Sequence, residues 1–346
     1  MLLIVLVVAG VATRIILYAD SSYMSGGNYY AAVWGSRHEN VATERNSQHS
    51  TMTKVVATAP LPATSTSPTQ PSPTTAHISW GAYVGDGSTN LSTFESMVGK
   101  SVNLLADFEG WDNTFPSGYA STVGAAGKTL VIFWEPNFGY SGIANGTYDA
   151  YRKQFATAAK AYNYPVILVP FDEMNLNEQA WGYGANGNTA TLFKSAWDHV
   201  HDIFVATGAA NVKFAIAYNN VSVPNTAGNQ FSDYYPGSSY VDYVGVDGFN
   251  FGNPWQTFDQ VFDPAITTLQ SYGKPIYIFS MGSVAGTQKA AWITEGLGTH
   301  IETYSNIAGW IWFNQNDAAT PGSGDSANWT VNSDSASLAA FKEVIH

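Results

Sequence analysis

Eight short apolar runs, recurring between His77 and the C-terminus, constrain this chain more than any other feature. They are ISWGAYV (78–84), SVNLLADF (101–108), TLVIFWE (129–135), PVILVPF (165–171), NVKFAIAY (211–218), YVDYVGVDGF (240–249), PIYIFS (275–280) and IAGWIWF (307–313). Most lack the polar alternation of a half-solvated strand, so burial on both faces is expected, as in a parallel sheet covered by helices. Helical patterns separate most of them, among them TYDAYRKQFATAAKAYN, NTATLFKSAWDHVHDIFVATG and TQKAAWITEGLGTHIETYS. The stretch between the second and third runs is less clearly helical. Strand and helix alternating in this way predict an α/β fold, a (β/α)8 or TIM barrel, over residues 77–346. A doubly wound open sheet is the competing arrangement, but eight units and no Gly-rich phosphate loop count against it.

The chain ahead of the barrel reads differently. Residues 1–18, MLLIVLVVAGVATRIILY, are apolar except for Thr13 and Arg14, and predict a signal peptide or a membrane anchor. Residues 19–76 form a polar segment that passes into a Pro/Thr/Ser linker, VATAPLPATSTSPTQPSPTTA, expected to be extended and disordered. Anchor, linker and globular domain in that order predict a secreted or extracellular membrane-anchored protein, touching the membrane only through its N-terminus. A monomer is expected.

Charged residues make up only 12% of the chain, about half the usual share, while aromatics reach 14% with 11 Trp and 20 Tyr. The formal charge of −12 excludes nucleic acid and polyanionic substrates, whose phosphates need Lys and Arg. A neutral ligand with many hydroxyls and flat faces fits better. With no Cys there is neither a disulfide nor a thiolate nucleophile. His199 and His201 sit two residues apart on a helical pattern and so on different faces, which argues against a shared metal; no metal and no cofactor are expected.

In a barrel of this kind chemistry gathers at the C-terminal ends of the strands. Those ends offer Tyr83 and Asp86; Asp107, Glu109 and Trp111; Trp134 and Glu135; Asp172, Glu173 and Asn175; Asp247 and Asn250; Ser280; and Trp312, Asn314 and Gln315. Carboxylates transfer protons and accept sugar hydroxyls, and indole faces stack on pyranose rings, so a polysaccharide or oligosaccharide groove is predicted. Trp134 and Trp312 are expected at the rim as ring platforms. Tyr234 and Tyr235, in a long loop, are further candidate contacts.

At this point a resemblance becomes specific. VPFDEMNLNEQAW at the fourth strand, with WGAYVGDG, FWEPN, VGVDGFNFG and GWIWFNQN, resembles glycoside hydrolase family 26, the β-mannanase and β-glucanase barrels. The resemblance spans essentially the whole globular domain. It implies that Glu173 is the general acid/base, with Asn175 and Trp181 beside it, and that Tyr83, Trp134, Asp172, Phe249, Trp312 and Asn314 bind substrate.

Three departures cluster around the implied chemistry. The family's strand-seven pattern carries a nucleophilic Glu where KPIYIFSMGS has Ser280; a Tyr that bonds this nucleophile is replaced by Phe249; and a His before the acid/base is replaced by Asp172. A retaining glycosidase needs two carboxyls about 5–5.5 Å apart, and an inverting one needs them about 6.5–9.5 Å apart with a water between. A Ser hydroxyl without a base is a poor nucleophile. Glu135, then Asp247, then Asp172 are the rim carboxylates able to act as base. Two readings therefore stand: an extracellular hydrolase of mannan or β-glucan, and a non-catalytic glycan-binding protein or surface adhesin using the same groove.

Overall fold

The computed structural model describes residues 78–85, 88–319 and 327–345. The expected anchor (1–18), the polar segment and linker (19–76), His77 and Asp86 lie outside the described residues.

Eight strands close into an all-parallel barrel in sequence order. They are β1 (Ser79–Tyr83), β2 (Leu104–Gly110), β3 (Thr129–Glu135), β4 (Val166–Pro170), β5 (Val212–Asn219), β6 (Tyr243–Asn250), β7 (Ile276–Ser283) and β8 (Ile307–Phe313). Among the described residues, seven helices of seven residues or more pack around them: α1 (Ser88–Val98), α2 (Ser117–Ala125), α3 (Asp149–Tyr162), α4 (Ala190–Thr207), α5 (Phe258–Gln270), α6 (Lys289–Glu295) and α7 (Ser335–Val344), with a short helical turn at Tyr140–Ala144. The ambiguous stretch between the second and third runs is the nine-residue α2. Between β5 and β6 there is only the four-residue turn of helix Phe231–Tyr234.

Local chemistry sets several boundaries. Thr189 caps α4, its hydroxyl accepting from the Leu192 N–H at 3.2 Å, and Gly208 ends the helix at φ 75°. The helix expected to run from 287 to 305 is α only to Glu295, then continues as a π turn and a 3-10 turn. Gly296 marks the break, where a Cβ would sit 2.4 Å from the Phe258 ring, so the helix approaches α5 at a distance only glycine allows.

The near-continuous apolar strands feed two cores. Outward residues such as Leu105, Ile132, Trp134, Leu168, Ile216, Val246, Ile278 and Trp312 pack under the helices. Inward ones, including Tyr83, Phe108, Phe133, Ala217, Phe249, Phe279 and Phe313, fill the barrel. Large rings face small residues there: a Cβ on Gly245 would lie 2.3 Å from Phe279, and one on Gly309 would lie 2.7 Å from Tyr277. Close packing of this kind makes the interior a filled core rather than a pore, leaving the C-terminal mouth for chemistry.

Candidate active site

The chain leaves β4 through a strained turn. Phe171 and Glu173 both adopt left-handed backbone conformations, at φ 60° and 51°. For residues other than glycine this costs on the order of 1 kcal/mol or more each, and it persists only where surroundings enforce it. Phe171 is held by rings, with Trp111, Tyr140 and Phe193 at 5.7, 5.3 and 5.9 Å. Strand alternation would turn it inward after Ile167 and Val169, yet it joins the outer core, so the turn has reset the alternation. The Glu173 N–H donates to the Ala217 carbonyl at 3.0 Å, tying the turn to β5. The Glu173 side chain is fully buried and accepts from Gln179 Nε2 at 3.5 Å.

Asn175 locks this turn to its neighbour. Its Oδ1 accepts from the Asn219 N–H and its Nδ2 donates to the Asn219 carbonyl, both at 2.9 Å. Its own carbonyl accepts from Val223 N–H and from Asn229 Nδ2, at 2.9 and 3.0 Å. Asn175 is thus a buried bracket between the ends of β4 and β5 rather than an open ligand contact.

On the far side of β5, Asn219 is in register with Asp247 of β6, and Asp247 with Ser280 of β7. A β-bulge makes the last pairing possible. Ile278 pairs with Trp310 but Met281 with Trp312, so Phe279 and Ser280 together face the single residue Ile311. Phe279 and Ile311 are both interior. Ser280 therefore comes to the inner face beside Asp247 instead of alternating outward, and both are buried. Phe249, one inward step above Asp247, is closed over by Trp329 at 5.0 Å and Phe313 at 5.8 Å.

Other expected site residues divide sharply. Glu135 is buried on the inner face of β3, in register with Gly110. Tyr83 is interior, stacked on Phe313 at 5.2 Å. Asn314, partly exposed, accepts from the Val331 N–H at 2.9 Å. Asp172 is fully buried, and its charge acts on Tyr140, whose hydroxyl burial above all, and then Tyr234 and Asp172, hold well above the ordinary tyrosine range. The expectation of open indole platforms is corrected. Trp134 is turned outward and sandwiched between Trp111 at 4.4 Å and Phe155 at 4.5 Å. Trp312 is also outward, against Phe341 at 5.5 Å, its N–H donating to the Trp329 carbonyl at 2.9 Å. Trp181 is buried too and donates to the Asp172 carbonyl at 2.8 Å, clamping the Glu173 turn. Each strand-end indole occupies an outward position, where apolar helices bury it.

Tyr234 is likewise buried, its hydroxyl donating to Asn229 Oδ1, and Tyr235 stacks on Tyr272 at 4.2 Å. Asp107 and Glu109 are in register with the outward residues Ile132 and Trp134, so they do not share the inner face with Glu135. His199 bonds Asp149 at 2.8 Å while His201 packs on Phe214 and Tyr240. Among the described residues no group of His, Asp and Glu could hold a metal ion.

Sequence reasoning missed Asn219, Gln179 and Trp329. Asn219 was discoverable as the polar end of a β5 run that alternates inward at Ala215 and Ala217. Trp329 was not: it lies beyond β8 and reaches the mouth through its N–H to Asp317 at 2.9 Å. Trp255 in the loop after β6 is only half-buried, and Asn250 Oδ1 fixes that loop by accepting from the Gly252 and Gln256 N–H groups at 3.1 and 3.0 Å.

Comparison with known proteins agrees with this arrangement. The profile of glycosyl hydrolase family 26 matches residues 139–315, which include Glu173, Asp247 and Ser280. Endoglucanase H of Acetivibrio thermocellus is 35% identical over 279 residues, covering 77% of this chain and 30% of that relative's length. Among solved structures, a family 26 β-mannanase from Bacteroides ovatus superposes with a TM-score of 0.59 at 17% identity, covering 78% of this chain and 88% of its own. The YdhT protein from Bacillus subtilis gives 0.55 at 18% identity, covering 75% and 88%. The structural likenesses establish the barrel, and the sequence matches carry the family: this chain belongs to glycosyl hydrolase family 26.

Proposed function

We propose that this chain hydrolyses a β-linked polysaccharide outside the cell, with Glu173 as the general acid and with Ser280 standing where the family pattern has its nucleophilic Glu. The observation that carries this reading is the Glu173 turn. A buried carboxyl is held in a strained conformation by Ala217, Gln179 and the Trp181 clamp, at the C-terminal mouth where barrel chemistry occurs. Strain kept at such cost is more readily understood as positioning than as packing.

β-Glucan is favoured over mannan. The relative that is 35% identical over 279 residues is named an endoglucanase, whereas the Bacteroides ovatus β-mannanase is 17% identical and alike in fold. The N-terminal apolar run and linker support display at the cell surface. Ser280 also favours a second reading, a glycan-binding protein that has lost catalysis. With Trp134, Trp181 and Trp312 buried, such a protein would grip sugar mainly through polar groups and the half-buried Trp255.

The test is release of reducing ends from β-glucans, β-mannans and β-xylans by the full chain and by Glu173→Gln. Turnover lost in the variant supports hydrolysis. No turnover, with measurable retardation of the chain on a glycan-containing gel, supports the binding protein. Absence of both turnover and retardation overturns the carbohydrate reading for these substrates.

A further inference from the structure

We infer that Gln179 is a positioning residue for the acid: its amide fixes one oxygen of the Glu173 carboxyl as an acceptor and leaves the other to carry the proton. This rests on the reading of Glu173 as the general acid and adds a residue to it.

Gln179 follows Glu173 by six positions, and the chain turns back on itself to bring the two side chains together. The Leu176 N–H donates to the Glu173 carbonyl at 3.0 Å, and the Leu176 carbonyl accepts from the Tyr183 N–H at 2.6 Å. The Gln179 carbonyl accepts from the Gly182 N–H at 2.9 Å. Asn188 Nδ2 donates to the Ala180 and Gly182 carbonyls at 3.0 and 3.2 Å, which holds the far side of the return. Only glycine fits at 182: a Cβ there would lie 2.3 Å from the Leu176 carbonyl oxygen and 3.2 Å from that of Gln179. Gln179 therefore meets Glu173 from a backbone fixed on both sides.

The side chain is less well satisfied than the backbone that carries it. Gln179 is 4% exposed. Its Nε2 donates to Glu173 Oε2 at 3.5 Å, while among the described residues its Oε1 has no hydrogen-bond partner. Folding alone would favour an apolar side chain here, because a buried amide with an unused acceptor costs stability that a thioether of similar length does not. The one hydrogen bond this amide makes among the described residues is to the carboxyl, so its use lies there.

An N–H against Oε2 suits a carboxylate, and it suits a carboxylic acid whose proton is on Oε1. It does not suit a proton on Oε2. Glu173 thus keeps the same proton-bearing oxygen before and after the proton is given up. When that proton passes to the glycosidic oxygen, the same N–H stabilises the carboxylate left behind. Such contacts commonly shorten as substrate engages the acid. The benefit exists only where the leaving group needs a proton, and that dependence separates positioning from packing.

The experiment compares wild type, Gln179→Met, Gly182→Ala and Glu173→Gln, each as the full chain. The substrates are a soluble mixed-linkage β-glucan and a dinitrophenyl β-cellobioside, whose phenolate departs without a proton. Gln179→Met is expected to lower kcat/KM on the glucan by about 10–100-fold, the contribution of a hydrogen bond to a charged group. Its loss on the aryl glycoside should stay below about threefold, and it should melt at the wild-type temperature or above. Gly182→Ala, which forces the return open without altering either side chain, should show the same substrate dependence with a lower melting temperature. Equal losses of Gln179→Met on both substrates overturn the inference, since a disturbed fold slows both alike. Wild-type glucan activity in Gln179→Met, with activity lost in Glu173→Gln, overturns the role of Gln179 and leaves the acid standing. Glucan turnover retained in Glu173→Gln, or no turnover of either substrate by wild type, overturns the reading of the acid and this inference with it.

Discussion

Over β4 to β7 the barrel mouth carries Glu173, Asn175, Asn219, Asp247 and Ser280, while from β8 through β1 to β3 the inner face is largely ring against ring, with the buried Glu135 at its β3 edge. Tyr83 lies 5.2 Å from Phe313 and 4.8 Å from Phe108, which stacks on Phe133 at 4.4 Å. The polar arc is buried as completely as the aromatic one. What differs is how each is stabilised. Rings gain from burial and dispersion whatever their exact orientation, so the aromatic arc tolerates small shifts. The polar arc depends on brackets such as Asn175 to Asn219 and on two left-handed residues, so it is stable in one geometry only. One half of the mouth contributes stability, and the other spends some of it on position.

Substitutions should separate the two arcs. The largest effect is expected from Glu173→Gln, which should lower β-glucan turnover by about 10³–10⁴-fold while leaving the melting temperature unchanged or raised, since a buried carboxyl is replaced by an isosteric amide. Phe108→Ala should do the reverse, costing about 3–5 kcal/mol in denaturant unfolding through the cavity it leaves. Asn175→Ala would blur the division: it strands the Asn219 N–H and should cost about 1–3 kcal/mol together with roughly tenfold in kcat. A stable and fully active Asn175→Ala would break the idea that the bracket positions Glu173.

A subtler effect is expected at Lys289, beside the aromatic arc. Its ammonium donates to the Trp329 and Thr330 carbonyls at 3.0 and 2.7 Å, holding the segment that carries the Trp329 lid. Burial pushes Lys289 down to about 7, with Asp334 opposing. The unfolded chain, with an ordinary lysine, keeps a proton above that pH which the folded chain has released. Stability from this group should therefore rise as pH increases from about 7 towards the ordinary lysine range. Lys289→Met should abolish that slope, so melting curves of wild type and variant should diverge between pH 7 and pH 9. The smallest effect on activity is expected from Trp312→Phe, which loses one hydrogen bond and part of a buried ring, costing about 1–3 kcal/mol of stability, and should change KM less than about twofold. A large rise in KM would return Trp312 to the substrate groove.

Much of this was legible in the chain. The eight runs predicted the eight strands to within a few residues, because a strand buried on both faces has little freedom to be polar. The DEMN stretch and its family resemblance singled out Glu173 as the candidate acid. The direction of the rim side chains was harder to read. Trp134 and Trp312 sit at strand ends and are as apolar as any rim platform, but they fall on the outward parity and disappear under helices. Ser280 falls on outward parity as well, yet the bulge turns it inward. Trp329, beyond β8, follows no local pattern, since its place depends on Asp317 and Lys289.

The sequence by itself determined the fold class and the chemistry available, because hydrophobic periodicity and residue type are local properties. Only the tertiary structure decided which rim groups face one another. A strand's alternation assigns faces only until a left-handed residue or an extra residue resets it, and both resets here, at Phe171–Glu173 and at Phe279–Ser280, are enforced by contacts with neighbouring strands. Those contacts bring Asp247 to Ser280, while plain outward parity buries the expected indole platforms under the helices.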